Sequence, residues 1–303
     1  MARRKRLTPA QRIAGAISAA VLLLAAVLLA WFSDDSPFHP AAASAVAGPD
    51  LMVHVIDVGN ADSLLVTNQG STLLIDAGEN DDGDTVIAYL RSHGVKKLDY
   101  VIATHPDADH IGGMDDVVEA FPIGTFLMSF LPDDLTPTTK TYLDLLEALE
   151  DKNVAVTEAE PGQRYALGGA SLSILGPAGS FESANSMSVV CRVDYGRRGF
   201  LFMGDAEKDA ENALLESGAN LKADVLKLGH HGSKTSSQEA LLRAVSPQYA
   251  AITCGAGNRY SHPNAEVLDR LKSLGITPYR CDLDGTIVFT TDGADSLTVY
   301  TEK

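Results

Sequence analysis

The run Thr104-His105-Pro106-Asp107-Ala108-Asp109-His110 sets two imidazoles and two carboxylates within six positions. All four are side chains that bind divalent metals. The run follows the apolar segment Leu98-Asp99-Tyr100-Val101-Ile102-Ala103 and precedes Gly112 and Gly113. In a loop after a strand, residues two apart can point the same way, so His105 and Asp107 can share one metal. Asp109 and His110 can then bind a second. Two metals held ~3.5–4 Å apart can clamp a bridging hydroxide and the group it attacks. The plainer alternative is a solvated acidic turn whose Asp caps a helix, but capping needs no flanking histidines.

Other apolar runs stop in similar residues. His230-His231-Gly232-Ser233 closes Val225-Leu226-Lys227-Leu228, and adjacent histidines on a glycine-flanked loop point to a site. Asp205 closes Phe200-Leu201-Phe202-Met203-Gly204, and Asp76 ends residues 71–75; each alone reads as a turn residue. His262, in Tyr260-Ser261-His262-Pro263, has three open roles: supporting a ligand, donating a proton, or lining a loop. His54 within a strand, His93 at a helix end and His39 in a linker read as structural.

These residues must be positioned by alternating strands and helices. Strands are expected over residues 51–58, 63–66, 71–75 and 98–103 in the first half. The second half carries them over 170–175, 188–195, 199–203, 225–228, 249–254, 286–290 and 296–300, with Arg197-Arg198 at a hairpin turn. Helical spacing marks residues 85–92, 114–120, 139–152, 206–217, 238–245 and 265–274. Both halves put polar clusters at strand ends. The chain therefore reads as α/β, with two sheets face to face and helices outside.

The 303 residues include 24 basic and 40 acidic ones, for a net charge of -16. Arg3, Arg4, Lys5, Arg6 and Arg12 lie in residues 1–32, which hold no acid, so the body beyond is more acidic still. Such a body argues against a broad electrostatic grip on nucleic acid, yet allows a nuclease whose metals supply the positive charge. Cys191, Cys254 and Cys281 are three and widely spaced, which gives neither a disulfide framework nor a cysteine zinc site. Residues 13–32 are uncharged and apolar, long enough for a membrane-spanning helix of ~20 residues. The basic flank predicts a cytoplasmic N-terminus and an outside body. Residues 1–32 are thus a transmembrane signal anchor, or a signal peptide cleaved near Ala41-Ala42-Ala43-Ser44-Ala45-Val46-Ala47. Residues 33–49 read as a linker and 50–303 as the catalytic domain.

Eight stretches lie in sequence across residues 51–292: Asp57-Val58-Gly59-Asn60-Ala61-Asp62-Ser63, Leu74-Ile75-Asp76-Ala77-Gly78, the His105–His110 run, Asn185-Ser186-Met187-Ser188-Val189-Val190, Met203-Gly204-Asp205, His230-His231-Gly232-Ser233, Asn258-Arg259-Tyr260-Ser261-His262-Pro263 and Asp284-Gly285-Thr286-Ile287. Together they resemble the metallo-β-lactamase fold superfamily, and more narrowly the hydrolase domain of ComEC-type DNA-internalisation proteins. The resemblance implies a four-layer αβ/βα sandwich, here preceded by one N-terminal transmembrane or signal helix. It implies two divalent ions, Zn²⁺ or Mn²⁺. His105 and Asp107 would bind the first, and Asp109, His110 and one of His230 or His231 the second, with Asp205 bridging. Asp76 would orient the ligand loop, with Asp62, Asn185, Ser188 and Ser233 nearby. Asp109, Asp205, His262 and Lys234 would carry the catalysis, and Ser233 or Arg259 could also contact a phosphate.

Two departures stand out. The commonest superfamily pattern has His where this chain has Asp107, although the ComEC-like branch shares the Asp. No histidine occurs from Ile111 to Leu228, where the superfamily usually supplies another ligand. The first site is therefore oxygen-rich, which favours Mn²⁺ there while the imidazoles still suit Zn²⁺. The single apolar segment also rules out a multi-helix DNA channel. The function expected is an extracytoplasmic phosphodiesterase or nuclease acting on DNA through a metal-bridging hydroxide, held at the cell membrane by its N-terminal helix or secreted after cleavage. Arg197, Arg198 and Lys227 are too few for a convincing basic groove. The alternatives are a hydrolase of a cell-envelope or small-molecule phosphoester, an amide or ester hydrolase, or a non-catalytic binding protein on the same fold. No protein partner can be read.

Overall fold

The structure is a computed structural model and describes residues 51–303. The expected N-terminal helix of residues 1–32 and the linker of 33–49 lie outside the described residues. Among the described residues no helix is long and apolar enough to cross a membrane.

The first half runs β1 (Leu51–Val55), β2 (Leu64–Asn68), β3 (Ser71–Ile75), α1 (Gly83–Ser92), β4 (Leu98–Ala103), α2 (Ala108–Ile111), α3 (Met114–Ala120), β5 (Ile123–Met128), α4 (Lys140–Asp151) and β6 (Val156–Glu158). The second runs β7 (Arg164–Leu167), β8 (Ala170–Gly176), β9 (Val190–Tyr195), β10 (Arg198–Phe202), α5 (Lys208–Glu216), β11 (Val225–Lys227), a 3-10 turn (Gly229–Gly232), α6 (Glu239–Val245), β12 (Tyr249–Ile252), α7 (Ala265–Leu274), β13 (Thr277–Arg280), α8 (Cys281–Asp284), β14 (Ile287–Thr291) and β15 (Thr298–Thr301). They form an 8-stranded sheet, β15-β14-β1-β2-β3-β4-β5-β6, and a 7-stranded sheet, β13-β12-β11-β10-β9-β8-β7.

The two-residue alternation of side chains sorts the core into layers. Leu73 and Ile75 of β3 join Ile102, Cys191, Val193, Phe200 and Phe202 between the sheets. Leu74 points the other way, into a cluster with Val86, Leu90, Met114, Val117 and Leu145 of the helices outside the first sheet. Leu201 and Leu226 do the same on the second sheet, against Leu214, Leu241, Leu242, Val267 and Leu271. Strands buried on both faces read as nearly continuous apolar runs, which is why β3 and β4 have the bounds expected from the sequence.

The site depends on strand direction. β3 and β4 run parallel, as do β10, β11 and β12. The carboxyl ends of β3, β4, β10, β11 and β12 deliver Asp76, the His105–His110 run, Asp205, the histidine pair and the 258–263 loop. Polar residues at such ends are where open α/β sheets place their ligands. The expected strands over 51–58 and 249–254 stop earlier, at Val55 and Ile252, freeing residues for these loops. The metal motif is also not all loop: Ala108–Ile111 is one helical turn with Asp107 at its N-cap position.

Candidate metal centre

Backbone strain concentrates at these strand ends. Asp76, His230, His231 and Ser261 all have φ between 50° and 58°. That left-handed conformation costs roughly 1–2 kcal/mol for a residue with a Cβ, and such strain collects at functional sites. Gly204 shares it at φ 53°, where an added Cβ would lie 2.9 Å from the Ser188 side chain and 3.1 Å from that of Thr104. The chain therefore needs glycine where the Asp205 loop crosses the His105 loop.

The loops bring together most of the expected metal ligands. His110 Nε2 lies 3.2 Å from Asp205 Oδ1, and His231 Nε2 lies 3.3 Å from Asp109 Oδ2 and 3.6 Å from Asp205 Oδ2. His105 Nε2 sits 3.6 Å from Asp107 Oδ2, whose side chain is 52% exposed. Three imidazole nitrogens (His105, His110 and His231 Nε2) and Asp205 Oδ1 are buried without any hydrogen-bond partner. Buried polar atoms are rarely left so. Lone pairs from imidazole and carboxylate converging at one buried point suit a divalent cation, so the residues present fit the group.

The far side of each ring explains the aim. His110 Nδ1 meets Asp76 Oδ2 at 2.8 Å, and Asp76 also accepts from the Thr104 N–H at 2.8 Å and the Thr104 hydroxyl at 2.7 Å. His231 Nδ1 donates to the Thr253 carbonyl at 2.8 Å. With Nδ1–H engaged outward, Nε2 presents its lone pair inward. Ser188 Oγ accepts from the Asp205 N–H at 3.0 Å and stands 3.4 Å from His105 Nδ1. Of the two candidate histidines, His231 is the buried, inward-facing one. His230 is a quarter exposed, 3.6 Å from Asp205 Oδ2, with its Nδ1 3.4 Å from Glu207 Oε1, Asn185 Nδ2 and Thr235 Oγ1.

Lys227, counted above with Arg197 and Arg198 as a residue of a basic groove, is instead a buried supporting residue. It is buried beneath the site, donates to the Gly204 carbonyl at 3.1 Å and forms an ion pair with the equally buried Asp62. Asp62 also accepts from the Thr253 hydroxyl and faces the Nδ1 atoms of His231 and His110 at 3.4 and 3.7 Å. Asp62, His110 and His231 group closely enough to hold an ion. Asp62 meets the backs of both rings, however, and already carries the Lys227 ammonium, so it braces the rings instead. A lysine inside an apolar strand was the signal.

Burial opposes ionisation of Asp205, yet His110 and His231 hold its carboxyl well below the usual range. Burial likewise opposes charge on His231, but Asp205, Asp109 and Asp62 push it up to about 9. His110 is raised in the same way by Asp205, Asp62 and Asp76. The pocket thus attracts positive charge, which a metal would supply in place of protons. At the rim, burial and then the neighbouring histidines push His262 down to about 4, so its ring is neutral.

The remaining expected residues sit at the edge. The His262 ring centroid is 5.5 Å from His230 and 6.4 Å from His231, and its Nδ1 is buried without a partner. Lys234 is exposed, its N–H bonded to Asn264 Oδ1 at 2.8 Å; Ser233 Oγ pairs with Thr235 Oγ1 at 3.0 Å. Lys234 and Thr235 line an open cleft of about 610 Å³ with Glu182, Glu207, Lys208 and Asp209. Arg197 and Arg198 lie at the opposite end of β10, paired with Asp295 and Asp224 at 2.6 and 2.9 Å.

Comparison with known proteins agrees with this geometry. The model of the metallo-beta-lactamase superfamily matches residues 56–255. ComE operon protein 3 of Bacillus subtilis (strain 168) is 32% identical over 256 residues, 78% of this chain and 32% of that protein. Competence protein ComA of Neisseria gonorrhoeae is 32% identical over 287 residues, 90% of this chain and 38% of that one. The chain thus spans about a third of the length of these relatives. Among solved structures, Igni18, a metallo hydrolase from Ignicoccus hospitalis, superposes with a TM-score of 0.52 at 17% identity, over 78% of this chain and 98% of that one. Fold, converging donors and motif order lead to one conclusion: the chain belongs to the metallo-beta-lactamase superfamily and is related within it to the ComEC-type competence proteins.

Proposed function

We propose that this chain is a two-metal phosphodiesterase that cleaves DNA outside the cytoplasmic membrane, with residues 1–32 as its anchor or signal peptide. The carrying observation is the set of buried, unpartnered donors on His105, His110, His231 and Asp205, in a chain related to proteins named for competence. His105, Asp107 and Asp205 would hold one divalent ion, Zn²⁺ or Mn²⁺, and Asp109, His110, His231 and Asp205 the other. Such ions activate water and neutralise charge on phosphoryl oxygens. The protein's own part is positional. Asp76, Thr253 and Ser188 fix the ligand rings and the Asp205 loop, and burial of His105, His110, His231 and Asp205 strengthens the charge interactions among them. His262, neutral at rest and beside His230, is placed to take up and return a proton. Lys234 stands where it can meet a substrate phosphate. The acidic balance of -16 supports a second reading, a small phosphoester of the cell envelope as substrate, because a DNA groove should be basic.

The test uses the purified full-length chain, stripped of metal and reloaded with Mn²⁺ or Zn²⁺, on single-stranded DNA and on bis(p-nitrophenyl) phosphate. Metal-dependent cleavage of both is expected. Hydrolysis of the small diester alone would favour the second reading. Full activity in Asp109→Ala would overturn the site assignment.

A further inference from the structure

The loop beside the metal centre displays an aromatic ring that the chemistry above does not use. Tyr260 is 51% exposed, yet it is not loosely held. Asn258 Oδ1 accepts from the Tyr260 N–H at 3.2 Å and the His262 N–H at 2.9 Å, while its Nδ2 donates to the His262 and Gly255 carbonyls at 2.6 and 2.9 Å. The Tyr260 ring stacks with His262, with centroids 5.6 Å apart and planes 24° apart. The Arg259 guanidinium lies over the Tyr260 ring at 4.7 Å and bonds its hydroxyl. His262 and the Arg259 guanidinium thus both lie against the Tyr260 ring, which carries the aromatic contact from the metal centre to solvent. On the other sheet, β4 and β5 pair Ala103 with Met128. Phe130, 52% exposed, thus leaves the same edge as His105, two residues beyond its strand.

A half-exposed ring on a loop held by four Asn258 hydrogen bonds, its hydroxyl bonded by Arg259, is suited to stacking on a flat ligand. Nucleobases stack on such rings and on guanidinium planes, and every base has the required face. A duplex cannot use it, because its bases are already stacked. We propose that Tyr260 and Arg259 form a nucleobase platform and that the substrate is a single-stranded polynucleotide, its base stacked here and its phosphate at the metal centre. This rests on the phosphodiesterase assignment above and adds a residue-level reason for nucleic acid over other phosphoesters. Arg259 gives the platform local positive charge on an otherwise acidic body.

Two matched single strands test it, one carrying bases and one abasic along its length, each labelled for fluorescence anisotropy. Binding is measured with the metal-free full-length chain, and cleavage with the metal-loaded one. The base-bearing strand should bind about tenfold more tightly than the abasic one. Tyr260→Ala should remove that preference, bringing the base-bearing strand to the affinity of the abasic one, while Tyr260→Phe keeps the preference. Arg259→Ala should weaken both strands. Absence of a base preference in the natural chain, or an equal loss on both strands in Tyr260→Ala with normal metal content, would overturn the platform. Cleavage of both strands without preference would sink the platform but keep the phosphodiesterase; base-dependent binding without any cleavage would do the reverse.

Discussion

The two sides of the metal centre are built to different standards. On the His110–His231 side, both rings are buried and each Nδ1 is tied to a strong acceptor, Asp76 or the Thr253 carbonyl, at 2.8 Å. The Asp62–Lys227 pair backs both rings. On the His105–Asp107 side, His105 Nδ1 has only the Ser188 and Thr104 hydroxyls at 3.4 and 3.3 Å, and Asp107 is half exposed. One side is held by charge and the other by weaker contacts to hydroxyls. Outer contacts of this kind are worth ~10–100-fold in metal affinity, so the two sides should bind metal unequally, with the His110–His231 side filling first.

Asp205 joins the two sides, and its loss should be the most severe. Asp205→Asn keeps the shape but removes the charge that both sets of imidazoles face. Turnover should fall by about 10³-fold or more, and bound metal should fall on both sides when measured by elemental analysis. Loss from one side only would show that Asp205 does not serve both.

The next effect lies under the braced side. Lys227→Met leaves Asp62 buried without its cation, and breaking a buried pair from one partner costs about 3–5 kcal/mol. Urea denaturation of the metal-free chain should show it. Lys227→Met combined with Asp62→Leu should recover much of that stability but not the metal affinity, because the backs of His110 and His231 lose their brace. If the double variant binds metal normally, Asp62 and Lys227 serve the fold alone.

Protons should report the same asymmetry. His231 is raised to about 9 in the folded chain from the ordinary imidazole value of 6.5, and His110 is raised with it. A group with a raised folded pKa contributes stability that is fully present below its unfolded pKa and lost as pH rises through the folded one. The metal-free chain should therefore lose thermal stability between about pH 6.5 and 9. The metal-loaded chain should not, since metal takes the place of those protons. A flat metal-free profile over that window would mean that His110 and His231 are neutral in the folded chain.

The sequence made one level of this visible and hid another. Apolar runs that end in Asp76, His105, Asp205 and His230 are legible because strands buried on both faces carry few polar residues until the chain emerges. Edge strands carry no such mark. Thr277-Pro278-Tyr279-Arg280 holds a proline and lies at the border of its sheet, and Val156–Glu158 has only three residues, none buried. Ile123–Met128 hides behind Gly124, whose missing Cβ would lie 2.5 Å from the Asp99 carbonyl. That His231 rather than His230 turns inward was hidden too, because it depends on two left-handed residues and on Thr253, a partner from another strand end. The ligand types were local information; the braces behind them were not.

Asp107 makes the smallest change and the sharpest comparison. Its side chain is half exposed and reaches only His105 Nε2, at 3.6 Å, so replacing it should leave folding nearly unchanged, as surface changes usually do. Asp107→His would exchange a hard oxygen donor for an imidazole on the weaker side only. Imidazole favours Zn²⁺ over Mn²⁺ relative to carboxylate. The variant should therefore bind its weaker Zn²⁺ more tightly and its weaker Mn²⁺ less so, while the tighter equivalent of each metal is unmoved in calorimetric titration. A shift in the tighter equivalent instead would reverse the assignment of the two sides. In that case the exposed carboxylate, rather than the braced imidazoles, would set the order in which the centre fills.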